Sequence, residues 1–252
     1  MDGLLRLGRS FFAISIGIFG IQHFIYAHST RGLVDVPPYT AKEPLSAYLI
    51  GVGFVVASLS LASRKKAGLS ARLLGAALFL DFLIFHSPRI LANLQSGNIR
   101  TRGFETLAMA GTAFVLAAAF PVQGSDRQGR PFDVQTTARA GRFLLAASLA
   151  IFGIQHFMYL KLIASLIPQW IPGRVLLAYF TGAAFLAAAL SIASGKVTRW
   201  AGILLAAMFL LWVLVLHAPR VAHALHDGNE WASMIVALGM SGSGLIVAEV
   251  FP

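Results

Sequence analysis

The sequence contains no cysteine, and only 10 of its 252 residues are acidic. Without thiols there is no internal disulfide relay, no thiolate nucleophile and no thiolate metal ligand. Charged residues of both signs reach only 12 %, about half the fraction of a soluble domain, whereas 57 % of residues are hydrophobic. The charges gather between long apolar runs instead of spreading along helix faces. This pattern indicates a polytopic α-helical membrane protein, because a chain crossing lipid must satisfy its own backbone hydrogen bonds. The net charge of +10 comes with no basic run interleaved with aromatics in a polar context, so nucleic acid is not an expected partner. Lys and Arg in short loops meet lipid head groups and set orientation instead. There is no Rossmann glycine pattern and no P-loop, which argues against nicotinamide, flavin-nucleotide or ATP binding through those motifs.

What the sequence does have is a copy of itself. The segment Ile18-Phe19-Gly20-Ile21-Gln22-His23-Phe24 recurs as Ile151-Phe152-Gly153-Ile154-Gln155-His156-Phe157. Arg9 and Arg142 lie fourteen residues before the histidine, and Tyr26 and Tyr159 lie three after it. Beyond a two-residue length difference, Tyr48/Tyr179, Gly51/Gly182, His86/His217, Pro88/Pro219, Arg89/Arg220, Gly97/Gly228 and Asn98/Asn229 share one offset. The chain is a tandem duplication.

Apolar runs predict helices near 9–27, 45–63, 69–94, 103–121, 140–164, 174–194, 198–226 and 231–250. The expected fold is therefore all-α: eight transmembrane helices as two tandem, parallel-oriented four-helix bundles, a pseudo-dimer within one chain. Residues 1–123 form the first repeat, the polar stretch 124–138 a cytoplasmic linker, and 139–252 the second repeat. The N-terminal run after Arg6 and Arg9 has the look of a secretory signal, but its counterpart after Arg142 is internal, so a retained span is expected. Twelve Lys and Arg on the side of the N-terminus against eight opposite predict that both termini are cytoplasmic. Frequent Gly and Ala, as in Gly75-Ala76-Ala77 and Gly182-Ala183-Ala184, suit close helix packing in lipid.

The duplicated polar residues carry the functional signal. His23 and His86 each follow an arginine by fourteen residues, about 21 Å along a helix, and so reach a similar depth in the outer leaflet of a core about 30 Å thick. His156 and His217 repeat the arrangement. Gly20 and Gly153 share a helix face with these histidines and leave room for a flat molecule or a neighbouring backbone. Gln22 and Gln155 add neutral donors and acceptors. Three readings of the histidine pairs stay open: bonds between helices, hydrogen bonds to a ligand such as a quinone carbonyl, and metal or haem ligation. Two histidines alone under-coordinate zinc, so no metal site is assigned.

Arg89 and Arg220, three residues after His86 and His217, either meet the ligand or snorkel to lipid phosphate. Asp81 and Glu105 lie within or near spans and are replaced by Trp212 and Val236 in the second half. The two halves are thus not equivalent, and the acids favour the first as the active one. The Ile167–Gly173 segment, like Pro37-Pro38-Tyr39, reads as a lid over the histidines or as an interfacial anchor. His28, His223 and His226 fall near span ends and read as solvated.

The GIQHF segments (Gly20–Phe24, Gly153–Phe157), the Pro168–Gly173 loop and the late His-x-Pro-Arg of each half resemble the DoxX-like membrane proteins. The resemblance covers nearly the whole chain as two fused copies of a four-helix unit. It implies the fold more firmly than the chemistry, and association with quinone-linked oxidation or with membrane redox complexes. Relatives that use cysteine chemistry are a poor guide to a chain that has none.

The expected function is binding of a quinone-like or other flat hydrophobic ligand, haem included, at cavities lined by His23, His86 and Arg89 and by His156, His217 and Arg220. Such binding would support a membrane redox process with a membrane or soluble partner that carries the electrons. The expected location is a prokaryotic inner (plasma) membrane. The competing reading is a non-catalytic assembly factor, chaperone or small-solute carrier with structural histidines. A transporter with its site at the repeat interface comes third, since interrupted mid-span helices are not evident.

Overall fold

The structure, a computed structural model, describes residues 3–27, 44–120 and 134–252. Among these residues the regular structure is entirely helical. In chain order the helices are α1 (Gly3–Ile25), α2 (Leu45–Ser63), α3 (Ala67–Ala92), α4 (Gly97–Ala118), α5 (Val134–Met158), α6 (Leu160–Leu166), α7 (Arg174–Ser194), α8 (Thr198–His223) and α9 (Gly228–Val250). Seven of them, all but α4 and the short α6, are long and apolar enough to cross a bilayer. Leucines such as Leu49, Leu59, Leu190 and Leu214 face outward, as lipid-facing side chains do, so the chain is read as an integral membrane protein.

The predicted bounds of α2 and α7 coincide with the observed ones, and most other ends move by a few residues. Two departures are larger. The expected helix 140–164 stops at Met158, and Tyr159 takes a non-helical backbone (φ −114°, ψ 34°) before α6 begins. The last residues of the expected linker, 134–138, are already the first turns of α5, while 124–133 lie outside the described residues. Pro37, Pro38, Tyr39 and His28 also lie outside them; His223 and His226 are exposed.

Packing couples the halves closely. Within each half the first helix lies on the second, the second on the third and the third on the fourth. The fourth helix of each half, however, lies on the first helix of the other: α4 on α5, and α9 on α1. These crossings depend on corresponding glycines. A Cβ on Gly8 would lie 2.8 Å from the Gly242 carbonyl, and one on Gly111 would lie 2.5 Å from the Gly141 carbonyl. Side chains there would hold the backbones apart. α4 and α9 also touch, and the corresponding residues Thr112 and Ser243 meet hydroxyl to hydroxyl at 2.8 Å.

The same exchange reaches the histidine level. Gln22 Nε2 donates to the Gly228 carbonyl at 3.4 Å, and Gln155 Nε2 to the Gly97 carbonyl at 3.0 Å. Tyr26 and Tyr159 occupy the space a side chain at Gly228 or Gly97 would need. Alanine at either glycine should therefore lower the thermal midpoint measured in detergent, by about 1–3 kcal/mol of stability.

Candidate functional site

Both third helices contain one π-helical turn, Phe82–His86 and Val213–His217, immediately before the proline pair. The Ser87 N–H bonds the Phe82 carbonyl, and the Ala218 N–H the Val213 carbonyl. Pro88 and Pro219 lack the N–H that the carbonyls of Ile84 and Val215 would otherwise receive, and the turn ahead of each widens. The effect is to turn His86 and His217 off the regular helical register. The proline was visible in the sequence as a weak point; the widened turn was not.

In the first half the histidines are buried and engaged. His23 is 1 % exposed; its Nδ1 donates to the Phe19 carbonyl at 2.7 Å and its ring meets Phe54 edge-on at 5.4 Å. His86 is 2 % exposed, and its Nε2 lies 3.3 Å from both Asp81 Oδ2 and Thr106 Oγ1. Asp81, five residues before His86, reaches it because the intervening turn is π-helical. Removing one partner from a buried pair exposes the other to its full desolvation cost. Asp81→Ala should therefore destabilise the protein by about 1–3 kcal/mol, read as a lower denaturation midpoint.

In the second half those partners are gone. Asp81 corresponds to Trp212, Thr106 to Ala237 and Glu105 to Val236. His217 Nδ1 is buried and has no hydrogen-bond partner among the described residues. His156 Nδ1 donates to the Phe152 carbonyl at 2.8 Å, and its ring is edge-on to Phe185 and nearly parallel to Trp212 at 6.3 Å. Both imidazoles line one cavity of about 560 Å³, within the range of small-molecule sites. Its wall is mainly apolar and aromatic, from Phe152, Phe185, Phe209, Trp212 and Met240.

Two contributions come from unexpected quarters. Glu105, from the first half, lines this second-half cavity because α4 packs against α5. The sequence had pointed to the first half as the home of this acid's chemistry. No residue spacing within one repeat announces a contact made across the exchange. The second contribution is the segment after α5: Leu162, Ile163, Leu166, Ile167, Pro168 and Ile171 line the cavity, whereas Trp170 is 74 % exposed. The segment thus covers the cavity while presenting an indole outward.

The remaining candidate residues lie elsewhere or serve the frame. Gln155 lines the cavity, but its amide is engaged by the Gly97 carbonyl and by Thr101 Oγ1, which donates to Oε1 at 3.3 Å. Gly20 and Gly153 border no void; the Gly51 and Gly182 backbones fill the space beside them. Arg220 pairs with Glu230 at 2.7 Å and, like Arg89, does not line the cavity. His23, Gln22, His86 and Asp81 surround the corresponding region of the first half and likewise do not line it. Among the described residues no group of three or more His, Cys, Asp or Glu is placed to hold a metal ion.

Residues 145–239 match a family described as a domain of unknown function, DUF8561. That stretch runs from the middle of α5 into α9 and contains the cavity's two histidines and its cover. No curated protein and no solved structure matches the chain.

Proposed function

We propose that the chamber of the second half binds a flat hydrophobic molecule of the quinone class in the membrane, and that the protein supports a redox process with a partner carrying the electrons. The observation that carries this reading is the convergence of His156, His217 and Glu105 on one aromatic-walled cavity of about 560 Å³. The lining is rich in acceptors. The Phe152 carbonyl can only accept, so a neutral His156 keeps its proton on Nδ1 and offers Nε2 as an acceptor. Glu105 adds a carboxyl, and His217 adds a nitrogen with no internal partner. Acceptors facing an apolar chamber suit the two hydroxyls of a hydroquinone, while the aromatic walls suit its ring.

On this reading α4 is an eighth span, shielded from lipid by α3, α5 and α9. The chain then forms two parallel repeats of a DoxX-like four-helix unit, with both termini in the cytoplasm of a prokaryotic cell. The cover formed by α6 and Pro168 lies at the opposite, outer end. A lipophilic ligand would enter from the bilayer beside that cover, where Trp170 marks the interface.

The test is a lipid extract and an absorption spectrum of the purified protein. A co-purified quinone, lost in the cavity-filling variant Ala178→Phe while the helical circular dichroism persists, is the expected result. A Soret band would replace quinone by haem, with two imidazoles as axial ligands. The engaged histidines of the first half favour a structural role there. A protein with no extractable ligand and no affinity for added hydroquinone would extend that role to the second half and leave an assembly factor or carrier.

A further inference from the structure

A second site, independent of the chamber, lies at the other end of the first half. Arg9 is 6 % exposed, yet its guanidinium Nε and Nη1 are buried with no hydrogen-bond partner among the described residues. The charges that act most strongly on it are those of Arg64 and Arg6, both repulsive. A buried cation without a counter-charge is costly, and this one is surrounded by more cations. Arg6 and Arg64 are exposed, as are Lys65 and Lys66, which follow Arg64 in the chain.

The corresponding arginine of the second half is treated differently. Arg142 Nε also lacks a hydrogen-bond partner among the described residues, but its guanidinium lies 5.2 Å from the centre of the Phe143 ring and 5.0 Å from that of Phe251, so aromatic faces take up its charge. Ser10 stands where Phe143 does, so the first half lacks one of the two rings, while Phe120 is the counterpart of Phe251. The turn after α2 shows the same divergence. Arg64 holds a left-handed backbone (φ 65°), and its counterpart is Gly195 (φ 73°). Glycine takes that conformation freely, whereas a side chain there costs about 1 kcal/mol. The first half thus places an arginine on a backbone suited to glycine, close to Arg9, whose Nε and Nη1 have no partner among the described residues.

We propose that Arg9, Arg6 and Arg64 bind the phosphate of an anionic phospholipid head group at the end of α1. The phosphate supplies a counter-charge that the described residues do not, and accepts from guanidinium donors in the geometry they favour. The basic turn Arg64-Lys65-Lys66 adds attraction to an anionic leaflet.

The experiment compares purified protein in nanodiscs of phosphatidylcholine with and without phosphatidylglycerol, reading lipid retention by native mass spectrometry and the thermal midpoint. Wild type should retain phosphatidylglycerol roughly tenfold over phosphatidylcholine. Arg9→Gln and the exposed pair Arg6→Gln/Arg64→Gln should lose that preference, and Arg142→Gln should keep it. The surface pair keeps the test decisive if Arg9→Gln fails to fold. Equal retention of both lipids, or an unchanged preference in the variants, would overturn the proposal. So would full protection by inorganic phosphate alone, which marks a free-anion site. A midpoint loss equal to that of Arg9→Gln on replacing Asp2, Asp126 and Asp133 by Asn would show that the chain provides its own counter-charge, and would also overturn it.

Discussion

Replacing His156 and His217 together by alanine should weaken hydroquinone binding by about 5–150-fold. Each hydrogen bond to the ligand is worth roughly 0.5–1.5 kcal/mol, and two such losses give that range. The measurement is a titration of the detergent-purified protein with a short-chain ubiquinol analogue. Stability should change little, because His217 Nδ1 has no internal partner to lose and His156 gives up one bond within its own helix. The corresponding double variant in the first half, His23→Ala with His86→Ala, should behave in the opposite way. Its imidazoles are almost fully enclosed, and His86 bonds Thr106 and lies 3.3 Å from the Asp81 carboxyl, so stability should fall by several kcal/mol while ligand affinity in the surviving folded fraction stays. Loss of affinity in both variants, or in neither, would break the assignment of separate roles to the two halves.

The second large effect concerns the exchange of fourth helices. Gly111→Val or Gly141→Val should cost about 3 kcal/mol or more, the upper range for forcing atoms into a packed interface. A Cβ at either position already falls within 3.0 Å of the opposing backbone. Backbone does not yield as a flexible side chain does, so α4 and α5 would have to separate. The expected result is loss of monodisperse protein in detergent, or a collapsed thermal midpoint. By the pseudo-symmetry, Gly8→Val and Gly242→Val should do the same. Gly53→Val should not, because nothing lies within 4 Å of a Cβ there. If all five variants behaved alike, the glycine crossings would not be what joins the halves.

The helical class, the apolar character and the duplication could be read from the sequence, because long hydrophobic runs and an unchanged heptapeptide are local signals. The positions of α2 and α7 followed to the residue, since left-handed turns or a proline sharply bound them. Two things were not legible. The π turns before His86 and His217 arise from a balance of carbonyl partners that a proline disturbs but does not specify. The half whose cavity Glu105 lines was hidden for a topological reason. Spacing within one repeat implies a closed unit, whereas α4 lines a chamber built mostly by the other repeat. The glycines that make this exchange, Gly8, Gly111, Gly141 and Gly242, were present in the sequence as corresponding pairs. Nothing in the spacing told which helix each would meet.

The divergence of the repeats has a simple physical form. Where the first half fills the space around its third-helix histidine with Asp81 and Thr106, the second substitutes Trp212 and Ala237 and leaves His217 facing the chamber. On the proposed reading, one copy uses its polar residues for cohesion, and the other leaves them for a ligand. Duplication allows this, because the engaged copy supports the packing that the open copy gives up.

Photoaffinity labelling with an azido-quinone in native membranes tests the central claim most directly. The account predicts labelled peptides from residues 152–171 and 209–217, protected by excess hydroquinone and absent in Ala178→Phe. Label concentrated on residues 19–26 and 82–90, or label that excess ligand fails to displace, would contradict it.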